Sequence, residues 1–85
     1  MKHIYAVKDL AVQAFGMPFF LRSKGEAMRS FQDEVNRTDG KSSVAQHPDD
    51  YELYNIGEYD DATGAITPMT PELVARAKDL LTPRS

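Results

Sequence analysis

The sequence predicts a small α+β domain: a four-stranded antiparallel sheet with two helices on one face, in the order ββαββα. Three observations carry this expectation. Residues 2–8, KHIYAVK, place apolar side chains in both alternating sets, as in a strand covered on both faces. Residues 23–35 open with a capping signal and continue as an apolar stripe at helical spacing. Residues 51–59, YELYNIGEY, followed by a polar turn and a second apolar run, read as a hairpin.

The first strand is expected to turn at Asp9-Leu10, with residues 11–15 returning as a second strand until Gly16 and Pro18 break it. Residues 17–21 are too apolar for a free loop and should lie extended and packed. Ser23-Lys24-Gly25-Glu26 is a capping box, in which the N-cap hydroxyl accepts from the Glu26 amide and the glutamate can reach back. Ala27, Met28, Phe31 and Val35 form the buried stripe, and residues 36–40 stop the helix, with Gly40 as a left-handed cap. On the opposite side Asp33 lies four residues from both Arg29 and Arg37, which predicts two ion pairs. Residues 38–50 are polar and rich in turn formers, a loop within one domain. After the turn at residues 60–64, residues 65–69 pair back, and Thr70-Pro71 reads as an N-cap with proline at the first helical position. Leu73, Val74, Ala77, Leu80 and Leu81 would give this second helix its apolar face, and Pro83 its end.

All 85 residues form one domain in this reading. A chain this short buries only roughly 60–65% of the surface its unfolded form exposes, so a homodimer that hides more apolar area is the expected state. Without cysteine there is no disulfide and no thiolate metal site, which suits a reducing cytoplasm. No apolar run reaches the roughly 18 residues of a membrane span, and Lys8 and Asp9 interrupt what would be the apolar core of a secretory signal. The expectation is a soluble protein inside the cell, without a membrane partner.

A net charge of −3 argues against non-specific coating of nucleic acid, which depends on neutralising phosphates. The charge is unevenly spread. Residues 1–45 hold seven bases (Lys2, Lys8, Arg22, Lys24, Arg29, Arg37, Lys41) against five acids, a net of +2; residues 46–85 hold three against eight, a net of −5. A polyanion would meet the first half.

The candidate chemistry is sparse. Gly40-Lys41-Ser42 resembles the tail of a phosphate-binding loop, but the glycine required five positions earlier is Val35. His3 and His47 have no partner at metal-ligand or triad spacing, so packing or surface roles are the simpler assignment. Asp49, Asp50, Glu52, Glu58, Asp60 and Asp61 lack the spacing of a calcium loop and read as a solvated acidic edge. No catalytic group, cofactor or metal is expected. Phe15, Phe19 and Phe20 lie among Lys8, Arg22 and Lys24, and rings beside cations can stack unpaired bases. Core packing is the commoner fate of phenylalanines in so small a chain.

MKHIYAVKD, then AFGMPFFLRSKGEAMRSFQDEVNR, then HPDDYELYNIGEYDDATG come in an order, spacing and total length that resemble the small non-structural protein of gokushovirus-type microviruses, which are single-stranded-DNA phages. Residues 1–37 and 47–64 carry the resemblance. It implies a DNA-associated protein absent from the virion and made in the host bacterial cytoplasm. It further implies a role in switching genome synthesis from duplex replication to single-strand production and packaging. No catalytic residue comes with it; the matching positions between Phe15 and Asn36 are a fold signature.

The combined expectation is a non-enzymatic phage protein that binds DNA, single strands in preference to duplex. Its contacts would be Lys2, Lys8, Phe15, Phe19, Phe20, Arg22, Lys24 and Arg29, and its dimer or partner surface would be Tyr54 and Ile56. The competing expectation is an adaptor that engages a phage replication or packaging protein, or a host factor, through the tyrosine-bearing sheet face or the acidic hairpin.

Overall fold

Strand β1 (Lys2–Asp9) is the centre of the sheet in the computed structural model, which describes residues 1–82. Ile4, Tyr5 and Ala6 are all buried, so both faces of β1 are covered, as its double alternation predicts. One edge of β1 carries two short antiparallel strands, β2 (Ala14–Phe15) beside Lys8 and Asp9, and β3 (Phe19–Leu21) beside His3, Ile4 and Tyr5. The second strand expected over residues 11–15 is therefore shorter. The intervening residues form the turn: the Ala11 amide donates to the Asp9 carboxylate at 2.9 Å, and Gln13 adopts a left-handed φ of 57°.

The capped helix forms as expected. In α1 (Lys24–Val35) the Ser23 hydroxyl accepts from the Glu26 amide at 3.2 Å. Ala27, Phe31 and Val35 are buried against Tyr5, Leu53 and Ala77, with Phe19, Leu21 and Tyr51 packed around them. The helix stops at Asn36, and Gly40, with φ of 74°, turns the loop beyond it instead of capping the helix. Asn36 also ties down a distant segment: its amide nitrogen donates to the Leu80 carbonyl at 3.0 Å, and its amide oxygen accepts from the Thr82 amide at 3.0 Å. The ion pairs expected through Asp33 do not form. Arg37 holds Glu34 at 3.1 Å and Asp39 at 2.5 Å, and Arg29 has no ionic partner among the described residues. The loop after α1 contains one short helical turn, α2 (Ser43–Gln46), whose Val44 packs on the same core.

On its other edge β1 pairs along its length with β4 (Tyr51–Asp60), from Lys2↔Tyr59 to Asp9↔Tyr51. The hairpin turn closes as expected, with Gly64 at φ of 77° and its amide on the Asp60 carbonyl at 2.7 Å. Beyond this turn the topology departs from the expected one. Residues 65–76 form one long strand, β5 (Ala65–Arg76), where a short strand and the start of a helix were predicted; after it comes only a 3₁₀ turn, Ala77–Leu80. The sheet order is β2-β1-β4-β5, with β3 also on β1, so the arrangement is not ββαββα. Thr70-Pro71 imitates a helix start, but it falls in the irregular stretch between Pro68 and Glu72, and the residues on either side satisfy their backbone by pairing with β4. Pro68 and Pro71 are tolerated because β5 is an edge strand. Val74 and Ala75 reach the core from the strand, and Ala77 and Leu80 from the turn.

The sheet bends at Asn55-Ile56-Gly57. Tyr5 pairs with Asn55 but Ile4 with Gly57, leaving Ile56 as an extra residue; across the hairpin the register jumps from Glu72 to Pro68 at the same level. The Asn55 side-chain oxygen accepts from the Gly57 amide at 3.2 Å and holds the bulge. A Cβ at Gly57 would lie 2.7 Å from the Thr67 carbonyl oxygen, so the close strand approach requires glycine.

Candidate nucleic-acid interface

Side chains alternate along β1, and Tyr5 faces the helices. Lys2, Ile4, Ala6 and Lys8 therefore face the opposite side, which no helix among the described residues covers. Cross-strand pairing adds Phe20 beside Ile4, Phe15 beside Lys8, and Tyr54 and Tyr59 from β4. These rings form two edge-to-face pairs. Phe15 and Tyr54 have centroids 5.5 Å apart at 77°, and Phe20 and Tyr59 5.4 Å apart at 72°. Beneath them Ile4 and Ala6 are buried, while Phe15 and Phe20 stay 42% and 43% exposed. The rings thus roof a small apolar floor and still present area to solvent. Lys8 sets its ammonium 5.7 Å from the Phe15 centroid, a cation on an aromatic face.

The bulge explains how this surface forms. Tyr54 and Tyr59 are five residues apart, and strict alternation would put them on opposite faces. Ile56, the extra residue between them, returns both to the same face. Phe15 and Phe20 have the same odd spacing and reach one face because residues 16–18 separate β2 from β3.

Of the expected contact residues, Lys2, Lys8, Phe15 and Phe20 meet on the helix-free face. Phe19 faces the other way and packs against the helix-side core, its ring 6.1 Å from Tyr5. Lys24 and Arg29 are exposed on α1, which packs against the opposite face of the sheet, and Arg22 is exposed directly after β3, two residues beyond Phe20. Tyr54, expected at a partner surface, belongs to the ring face, and half-buried Ile56 marks the bend. The acids are dispersed between the 3₁₀ turn at Pro48–Asp50, strand β4 and the hairpin turn.

Sequence reasoning did not single out Tyr59 or Arg76. Arg76 was assigned to a helix; as a strand residue it completes a rung across the ring face, Phe15, Lys8, Glu52 and Arg76 on successive strands. Glu52 accepts from the Tyr54 hydroxyl at 2.8 Å through one oxygen and from Arg76 Nε at 3.2 Å through the other. The hydrogen bond to Glu52, and secondarily burial, push the Tyr54 phenol above its ordinary value. Tyr5, on the helix side, is raised chiefly by burial and then by the charge of Glu72.

Residues 2–80 match the family model described as Phage ORF5 protein. The chain belongs to that family. No curated protein and no solved structure matches it. Membership of the Phage ORF5 family makes this a phage protein, one that acts in an infected host cell. No helix among its described residues is long and apolar enough to cross a membrane.

Proposed function

We propose that this Phage ORF5 family member is a non-enzymatic DNA-binding protein that takes single-stranded DNA across its helix-free sheet face. The observation that carries the reading is the pair of half-exposed ring couples, Phe15–Tyr54 and Phe20–Tyr59, with Lys8 and Lys2 on the same face. Unpaired bases offer flat faces that such rings can stack on, at about 1–3 kcal/mol per base, whereas a duplex keeps its bases stacked internally. The sequence resemblance to gokushovirus-type microviruses supplies the biological setting: the host bacterial cytoplasm, at the switch from duplex replication to single-strand synthesis and packaging. Titrating labelled single- and double-stranded oligonucleotides, with Phe15→Ala and Phe20→Ala in parallel, tests the reading. Tighter binding to single strands, lost stepwise in the two variants, is expected; no binding at tens of micromolar protein would refute it.

A second reading is favoured by Ile66, Met69 and Leu73, exposed on a strand with one free edge. In that reading the protein is a homodimer, or an adaptor for a phage replication or packaging protein or a host factor. Sedimentation of the wild type against Ile66→Ser and Leu73→Ser separates it from the first, because those changes leave Phe15 and Phe20 in place.

A further inference from the structure

Glu52 is the less exposed member of its ion pair, with a side chain only 15% exposed against 48% for Arg76. Both its oxygens are occupied, one by Tyr54 and one by Arg76 Nε. The pair uses only the inner nitrogen of the guanidinium, and no described residue accepts from the two terminal amino groups of Arg76. A guanidinium anchored through Nε with its outer donors free is oriented for an oxyanion beyond it, since phosphate accepts from such a fork bidentately. The anchoring carboxylate also holds the Tyr54 hydroxyl, so the free donors lie next to the Phe15–Tyr54 ring couple. A base on those rings and a backbone phosphate on Arg76 are parts of one ligand.

Resting on the single-strand reading above, we infer that Arg76 is a phosphate-binding side chain of the ring face, positioned by Glu52. Its ligand is a backbone phosphate of a nucleic-acid strand whose base stacks at Phe15–Tyr54. Glu52 is then a positioning residue. Its charge neutralises the rung locally, which limits the electrostatic share of binding without removing the phosphate contact.

Two variants test this with a fluorescent oligothymidylate of roughly 16 nucleotides, the upper end of site sizes for a small sheet-based binding domain. Arg76→Ala should bind about three- to tenfold more weakly and flatten the dependence of log K on log salt by about 0.7, the share of one phosphate contact on a single strand. That loss alone is ambiguous, because it leaves the Glu52 charge unbalanced beside the ligand. Glu52→Gln combined with Arg76→Ala restores a neutral pair of positions and should keep the flattened slope. A double variant that regains the wild-type slope overturns the inference, since Arg76 would then act only by balancing Glu52. Wild-type slopes in both variants overturn it equally and leave the single-strand reading intact. Wild-type protein that binds no oligonucleotide removes that reading and this inference together. Unchanged far-ultraviolet circular dichroism and melting in each variant exclude loss of fold.

Discussion

The strength of the salt dependence should discriminate between two binding surfaces. On the ring face the cations are Lys2, Lys8 and Arg76. At about 0.7 per phosphate contact on a single strand, three contacts give a slope near −2. Raising salt from about 50 to 200 mM would then weaken binding by about 20-fold. The cations singled out from sequence were Lys2, Lys8, Arg22, Lys24 and Arg29, and five contacts give a slope near −3.5 and a loss of about 130-fold over the same range. Lys24 and Arg29 lie on α1, which packs on the opposite face of the sheet, so the shallower slope is expected. Fluorescence anisotropy of a labelled oligothymidylate at four or more salt concentrations measures it directly. A slope steeper than about −3 would mean that the strand also runs along the helix layer, and charge reversal at Arg22 and Lys24 would then identify where.

Packing and ionisation give three further expected outcomes. Phe31→Ala removes a ring buried among Tyr5, Leu53 and Ala77 and should cost about 3–5 kcal/mol, seen as a lower urea midpoint. Gly57→Ala drives a methyl toward the Thr67 carbonyl and should cost about 1–3 kcal/mol; an unchanged midpoint would show that the bend relaxes freely. Tyr5 and Tyr54 both have raised phenol values, so the folded state retains their protons where the unfolded chain loses them. Their contribution to stability is complete below the ordinary phenol value of about 10 and is lost as pH rises through the raised folded values. Phenolate absorbance of the wild type against Tyr54→Phe should show a late-titrating group that the variant lacks.

The parts of the fold legible in sequence were those with local chemical causes. Ser23 can satisfy the Glu26 amide from three residues away, and the Ala27, Phe31 and Val35 spacing needs no knowledge of the sheet. The turn ending at Gly64 is similarly local. The fate of residues 70–80 was not, because Leu73, Val74, Ala77 and Leu80 fit a helix face as well as a bulged strand running into a 3₁₀ turn. Only the length of ladder available on β4 decides between them. The ring face was half visible: alternation in β1 joins Lys2 to Lys8, but Tyr54 and Tyr59 share a side only through the bulge at Ile56. A period of two cannot disclose a residue that falls outside it. Arg76 was hidden by the same error that turned its strand into a helix.

The far-reaching contacts of α1 set a timetable for how this protein can be made. Phe31 and Val35 complete their cover only with Leu53 and Ala77, and Asn36 closes onto Leu80 and Thr82. A ribosome adding about 5–20 residues per second delivers residue 82 about 2–9 s after residue 35. Throughout that interval the greasy stripe of a finished helix can rest only on the side chains made before it, Tyr5, Phe19 and Leu21. A growing chain of this design keeps half of that stripe wet until its last strand is released.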